Sequence, residues 1–596
     1  MIKFQSTTVR PIRSKEIPSS SRLLTRAALF AVFRKNEQRG IKSLIQLFVI
    51  LCALWWQFAF AAFGEPIQLR NVTKETGINF VHTDGSSGNR YIVETVASGL
   101  ALFDYDNDGD VDIYFLNGAP LRGTKAQGTP RNSLWRNEGN WKFTDVTAAS
   151  GLGDEGYGLG VATADYDNDG DQDVYISNFG PNKLYRNNGD GTFADVTEKA
   201  GVAGSTESRP TIGAGVAFLD MDRDGDLDLF AARYVNFTYE NHRGVRFNGH
   251  PAYAGPLDFQ PSAFSMYRNN GDGTFTDVST ESGIGARKGA GMGVVCADFD
   301  NDGDTDIFVA NDQSGNSLFV NNGKGNFKEN AGLAGVAYDL AGRAQGSMGA
   351  ECADVDNDGL LDLFVTTYQQ ELATLFKNQG KGLFEDVTRV TKAGDGTLRY
   401  VKWGVGIVDF DNDGHRDLFV ACGHLHDNVH LFDSTTLYEC PSIVLRNTGG
   451  GKFQNVSEQT GDGPEVKRSA RGAAFDDLDN DGDIDVVILN SRREPTILRN
   501  DSAPAHWLGV LLVGSKSNRD SIGARVTVAA GPDSSGFVEE VRSGRGYQSD
   551  YGRRLHFGLG KRERAERIEV QWPSGRKDVI QQPSINRVLT IREGPE

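Results

Sequence analysis

Asp104-Tyr-Asp-Asn-Asp-Gly-Asp-Val-Asp112 decides how this chain is read. The same nine-residue frame begins again at Asp165, Asp220, Asp298, Asp354, Asp409 and Asp477, at spacings of 61, 55, 78, 56, 55 and 68 residues. Self-similarity at a fixed period marks a repeat architecture, and a unit of about 55 residues suits one four-stranded propeller blade. Insertions lengthen the stretches before Asp298 and Asp477.

Each nonapeptide runs into an apolar strand such as Ile307-Phe-Val-Ala310, then Asn-x-Leu-Tyr/Phe-Arg-Asn, a Gly turn and Phe-x-Asp-Val-Thr; residues Asn182 to Thr197 show the unit whole. Apolar groups on alternate positions of Thr192-Phe-Ala-Asp-Val196 are what a half-buried strand requires. The ends of the array are complementary. After the seventh loop the chain reaches Ile497-Leu-Arg-Asn500 and stops before any Phe-x-Asp-Val-Thr strand, while Leu69-Arg-Asn-Val-Thr73 matches that tail with no loop before it. The predicted fold is therefore all-β: a seven-bladed β-propeller over 62–504, closed by its N-terminal strand so that no sheet edge is left open, and a small β-sandwich-like domain over 505–596. The latter shows about seven strand-like stretches between Gly turns, such as Val510-Leu-Leu-Val513 and Ile568-Glu-Val-Gln571.

The chemistry of the repeat lies in its acids. Positions 1, 3, 5 and 9 are Asp in every copy: Asp104, Asp106, Asp108 and Asp112; Asp165, Asp167, Asp169 and Asp173; Asp220, Asp222, Asp224 and Asp228; Asp298, Asp300, Asp302 and Asp306; Asp354, Asp356, Asp358 and Asp362; Asp409, Asp411, Asp413 and Asp417; Asp477, Asp479, Asp481 and Asp485. Hard oxygen ligands in a short loop with Gly at position 6 are a Ca²⁺ ligand set, whereas Mg²⁺ takes fewer carboxylates and keeps its waters. About seven Ca²⁺ sites are expected, with position 7 contributing a main-chain carbonyl. An EF-hand needs Glu at position 12; here that position is Phe115, Ile176, Ala231, Val309, Val365, Val420 and Ile488, all apolar, so the loop leads into a strand.

Charge agrees. The net charge is -18, but residues 1–61 hold ten basic and two acidic groups and residues 505–596 fifteen and eleven, which leaves about -30 between them. Such self-repulsion calls for bound cations and argues against nucleic acid as a partner. The N-terminus has Arg34, Lys35, Arg39 and Lys42 ahead of an apolar run from Leu44 to Phe63 ending in Ala59-Phe-Ala61. That pattern fits a signal peptide cleaved near Ala61 or, because the leader is long, an uncleaved membrane anchor; either gives an extracytoplasmic protein. Cys52 lies passively in that run, Cys296 and Cys352 read as buried small residues, and Cys422 and Cys440 form a disulfide if the compartment is oxidising.

The blade tail Tyr267-Arg-Asn-Asn-Gly-Asp-Gly-Thr-Phe275 and the Asp loops resemble the FG-GAP or VCBS repeats of integrin-α-type propellers. His506-Trp-Leu508, Ser517-Asn-Arg-Asp520 with Ile522-Gly-Ala-Arg525, Ser543-Gly-Arg-Gly-Tyr547, Leu555-His-Phe-Gly-Leu-Gly560 and Trp572-Pro-Ser-Gly575 together look like an ASPIC/UnbV domain. The combination resembles the cartilage-acidic-protein-like family, which implies a secreted or surface-exposed calcium-binding protein with a proposed adhesive or matrix role. The long basic leader departs from that pattern, and no growth-factor-like cysteine module is evident.

Two segments carry further candidates. His424, His426 and His430 lie near Asp427 and suit a metal or acid-base site, or an ordered surface loop packed by rings. Tyr234–Phe264 is rich in aromatic residues, with Tyr253 and His426 the candidates for gripping a ligand. Ser543-Gly-Arg-Gly-Tyr547 reads as a turn with surface charge, or as an anion site. No nucleophile motif, zinc signature or phosphate loop is present. The expected function is a non-catalytic binding, adhesion or scaffold module for a protein or glycan partner. The alternatives are a calcium-dependent extracytoplasmic enzyme acting on polysaccharide and an assembly factor for an enzyme complex.

Overall fold

A computed structural model describes residues 66–125, 128–206, 210–531 and 536–594. The signal-peptide or anchor assignment for 1–61 and the place of Cys52 lie outside the described residues. Every nonapeptide joins two antiparallel strands. In the first repeat Leu100–Phe103 leads in and Asp112–Phe115 leads out, followed by Ser133–Asn137 and Phe143–Asp145 to complete a four-stranded antiparallel sheet. Six more sheets of this kind contain the other six nonapeptides. In the last of them the fourth strand is Leu69–Asn71, paired Leu69 to Asn500 and Asn71 to Leu498. The first strand of each sheet touches the first strands of the sheets on both sides, and Ala470–Asp476 of the last returns to Leu100–Phe103 of the first. The sheets thus close into a ring, the architecture of a β-propeller.

Apolar residues fill the space between adjacent sheets; Phe230, Phe264, Ile307 and Phe319, from the third and fourth, share one buried cluster. The Phe-x-Asp-Val-Thr tail works as a clip. Asp195 Oδ1 accepts from the N–H and hydroxyl of Thr197, at 3.0 and 2.6 Å, while the Thr197 hydroxyl accepts from the N–H of Leu184 on the neighbouring strand, at 2.9 Å. This ties the outer strand to the one inside it at a site where water competes.

Five residues before the first Asp of every nonapeptide stands a glycine, from Gly99 to Gly472. A Cβ on Gly160 would lie 2.2 Å from the Ala214 carbonyl oxygen, and one on Gly293 2.7 Å from those of Met348 and Gly546. These glycines let the inner strands of adjacent sheets approach closely around the axis.

After Asn500 the chain forms two further sheets. His506–Val513 lies between Leu555–Gly560 and Val588–Arg592, pairing in parallel with the latter; Phe537–Glu540, Arg525–Ala529, Arg567–Gln571 and Lys577–Gln581 form the second. Their apolar residues, including Leu508, Val526 and Trp572, join one buried cluster with Tyr166 and Phe218 of the propeller. No described helix is long and apolar enough to cross a membrane.

Candidate metal centre

The nonapeptide is held in its turn by its own acids. Asp104 accepts backbone N–H groups from Asp108 (3.1 Å) and Gly109 (2.9 Å). Asp112, at position 9, accepts from Tyr105 (3.1 Å) and from Asn137 (2.7 Å) in the strand beyond. The position-9 bonds recur in all seven copies. Position 4 is left-handed in every loop, from φ 53° at Asn412 to 62° at Arg223, and the Gly at position 6 has φ between 88° and 106°. Asn tolerates the left-handed region and Gly meets no Cβ penalty there, which explains both preferences.

That folding gathers the carboxylates. Single oxygens of Asp104, Asp106 and Asp108 lie within 4.8 Å of one another, and so do those of Asp165, Asp167 and Asp173, of Asp220, Asp222 and Asp228, of Asp298, Asp300 and Asp302, and of Asp354, Asp356 and Asp362. The sixth loop, Asp409, Asp411, Asp413 and Asp417, and the seventh, Asp477, Asp479, Asp481 and Asp485, adopt the same hydrogen-bonded turn, with Asp169, Asp224, Asp306 and Asp358 at the equivalent positions of the others. At position 3, one oxygen each of Asp106, Asp167, Asp222, Asp356, Asp411 and Asp479 is buried without a hydrogen-bond partner. An orphaned carboxylate oxygen facing other carboxylates fits a bound cation better than any neutral partner. Burial pushes Asp104 up to about 6 and Asp112 up to about 9, so without a cation Asp112 holds a proton at neutral pH.

The loops are linked in a circle. The position-4 side chain reaches position 7 of the next loop: Asn107 to Asp171 (2.7 Å), Asn168 to Asp226 (3.2 Å), Arg223 to Asp304 (2.5 Å), Asn357 to His415 (3.3 Å), Asn412 to Asp483 (2.7 Å) and Asn480 to Asp110 (2.7 Å). Position 7 is therefore a side-chain partner between loops as well as a place in the turn. The one gap is at Leu360, which has no polar group to offer; there Arg525 bonds both Asn301 (2.7 Å) and the Gly359 carbonyl. The Asn ending Leu-x-Arg-Asn makes a second circle: Asn187 donates to the Tyr105 carbonyl (2.9 Å) and Asn137 to that of Leu478 (2.8 Å), each in a neighbouring sheet.

Comparison with known proteins matches these loops to an FG-GAP-like repeat model at residues 104–176, 165–231, 254–309, 298–365 and 354–420, and residues 514–596 to an ASPIC and UnbV model. Cartilage acidic protein 1 of Mus musculus is 26% identical over 517 residues, 83% of this chain and 73% of that protein; the Homo sapiens protein is 26% identical over 502 residues, covering 80% and 69%. This chain carries FG-GAP-like repeats and an ASPIC/UnbV domain and is homologous to cartilage acidic protein 1. Among solved structures, an Agrocybe aegerita lectin described for recognition of non-reducing terminal N-acetylglucosamine matches with a TM-score of 0.35 at 19% identity, covering 60% of this chain and 79% of that one.

The ASPIC/UnbV segment corrects one reading. Ser543–Tyr551 is no surface turn: Ser543, Tyr547, Ser549 and Asp550 are all at most 1% exposed. The loop enters the propeller axis. Asp550 exchanges backbone bonds with Leu100 and Leu102 (both 3.0 Å), its carboxylate accepts from Thr163, and the Gly546 carbonyl accepts from the N–H of Ala350 (3.0 Å). Arg545 is spent on Glu351 at 3.0 Å, and Glu351 also accepts from the Tyr551 hydroxyl at 2.7 Å. A charged Gly-Arg-Gly tripeptide reads as exposed because composition alone does not show a buried carboxylate 194 residues away.

The two insertions meet on the face away from the Asp loops. His426 stacks at 5.6 Å from Tyr253, Phe247 lies 5.6 Å from His426 and 5.5 Å from Phe432, and Asn428 donates to the Pro251 carbonyl. His424 and His426 are buried among these rings in a segment that also carries exposed residues such as Leu431, and burial lowers them to about 4 and about 3, so both are neutral. His424 uses one ring nitrogen on Gln369 and the other on the N–H of His426, while His430 is exposed, so the three do not converge. Cys422 and Cys440 are buried free thiols in one cluster, as Cys296 and Cys352 are in others; the anticipated disulfide is not formed.

Proposed function

We propose that this protein is an extracytoplasmic, calcium-loaded, non-catalytic scaffold that presents a protein or glycan partner with the face built by its two insertions. The buried, unpartnered position-3 oxygens carry the calcium part of this reading. Calcium supplies the positive charge that lets the carboxylates sit together, and the chain's own Asp side chains fix each turn before the ion arrives.

Two outcomes test it. Because burial holds Asp104 near 6 and Asp112 near 9, an incoming ion must displace protons. Raised folded-state values favour the metal-free fold at low pH and lose that contribution as pH rises from the ordinary value of 3.8 to about 6 for Asp104 and to about 9 for Asp112. Calcium affinity measured by titration calorimetry should therefore weaken by at least about tenfold between pH 8 and pH 5.5, while the metal-free chain unfolds more easily at pH 8. A flat affinity profile counts against carboxylate ligation.

For the partner face, Phe247 is 43% exposed beside buried Tyr253 and His426, so it is the ring that reaches outward. Screening the full chain against immobilised glycans and extracellular proteins should yield a ligand whose binding Phe247→Ser abolishes without loss of thermal stability. A ligand bound equally well by that variant places the binding surface elsewhere.

A further inference from the structure

We infer that the Asp loops fall into two classes of calcium site, set by where the basic residue of the Leu-x-Arg-Asn strand comes to rest. This inference rests on the calcium reading above. Each loop is followed by a strand that carries Arg136, Arg186, Arg268, Val320, Lys377, Arg446 or Arg499 at the same place. In the fifth loop the Lys377 ammonium sits on Asp356 and, at 2.8 Å, on Asp358; in the sixth the Arg446 guanidinium pairs with Asp411 and lies 3.5 Å from Asp413. These are positions 3 and 5, whose oxygens the ion needs, and Asp411 is only 8% exposed with an oxygen left unpaired.

In the first and seventh loops the cation is drawn off by an acid. Arg136 gives both Nε and Nη2 to Glu138, at 2.9 and 2.6 Å, and Arg499 pairs with Asp501. Glu138 and Asp501 occupy the position two residues after the basic residue; after Lys377 and Arg446 that position is Gln379 and Thr448, neutral in both cases. In these two loops the cation turns onto the acids; Asn188 and Asn270, two residues after Arg186 and Arg268, are neutral too, yet among the described residues neither arginine is ion-paired with its loop, and Arg186 reaches Asn188 at 3.5 Å instead. The fourth loop has Val320 there and no such competitor. A monovalent side chain already pairing with two ligand carboxylates must be expelled before a divalent ion enters, so the fifth and sixth sites bind more weakly than the first, fourth and seventh.

Titration calorimetry of the chelator-stripped full chain with CaCl₂ tests this, with circular dichroism to show that each variant folds. The wild-type chain should resolve a tight class and a class of two sites weaker by at least about tenfold. Lys377→Val, which copies the fourth repeat, and Thr448→Glu, which offers Arg446 a resting place, should each move one ion from the weak class to the tight one. One class of site throughout, or class populations unmoved by Lys377→Val and Thr448→Glu, overturns the inference while leaving calcium binding intact. No calcium bound at any loop sinks the calcium reading and this inference with it.

Discussion

Stripping divalent ions from the chain is expected to lower its thermal unfolding midpoint by about 10 °C or more. An ion that binds only the folded state at a hundred times its dissociation constant contributes roughly 2.7 kcal/mol, so several occupied loops together supply on the order of 10 kcal/mol. For a compact unit running from Pro66 to Glu596, unfolding entropy scales to about 1 kcal/mol per degree, which converts that sum into the shift stated. The physical origin is local. Five of the loops draw three carboxylates within 4.8 Å of one another, burial raises Asp112 to about 9, and in the first loop, where no basic side chain pairs with the acids, protonation is the relief left without a cation. Differential scanning calorimetry with excess calcium and then with chelator measures the shift. Coincident midpoints would mean that the loops are held by hydrogen bonds alone.

The second large effect is expected at Glu351. This carboxylate, fully buried in the propeller axis, holds Arg545 at 3.0 Å, faces Arg542 at 3.8 Å and accepts from Tyr551. Glu351→Leu leaves two buried guanidiniums with Glu539 as the remaining near counter-charge, and breaking a buried pair in this way costs about 3–5 kcal/mol. By contrast, Glu240→Ala at the exposed pair with Arg122 should leave stability almost unchanged. Hydrogen exchange localises the damage: amides of Gly546 to Asp550, protected in the axis, should exchange faster in Glu351→Leu at temperatures where the blades remain folded. Unchanged protection there would show that backbone bonds to the inner strands hold the loop without the ion pairs.

Much of the architecture could be read from particular residues. The position-12 side chains, apolar in all seven copies, direct the loop into a strand, and Asp112–Phe115 is that strand. The glycine five residues before each first Asp was equally available as a signal; it recurs as strictly as the Asp residues, yet glycine in a strand has no chemistry that announces close packing. The Asn of Leu-x-Arg-Asn belonged visibly to the repeat, but its bond to the Tyr105 or Leu478 carbonyl joins different sheets, which no single repeat reveals.

Everything local and periodic is written in the order of the residues. The repeating Asp frame, the turn at Gly109 and its equivalents, and the alternating strands follow from spacing and backbone conformational preference within a few residues. Tertiary structure alone decided where charge is neutralised across distance. It buried Arg545 against Glu351, brought Tyr253 to His426, set Arg525 into the gap left by Leu360, and turned Lys377 onto its loop while Glu138 held Arg136 away. Local order is encoded in neighbours along the chain. Pairings between distant charges depend on which surfaces the closed ring brings within a few ångströms, and that is set only when the ring has closed.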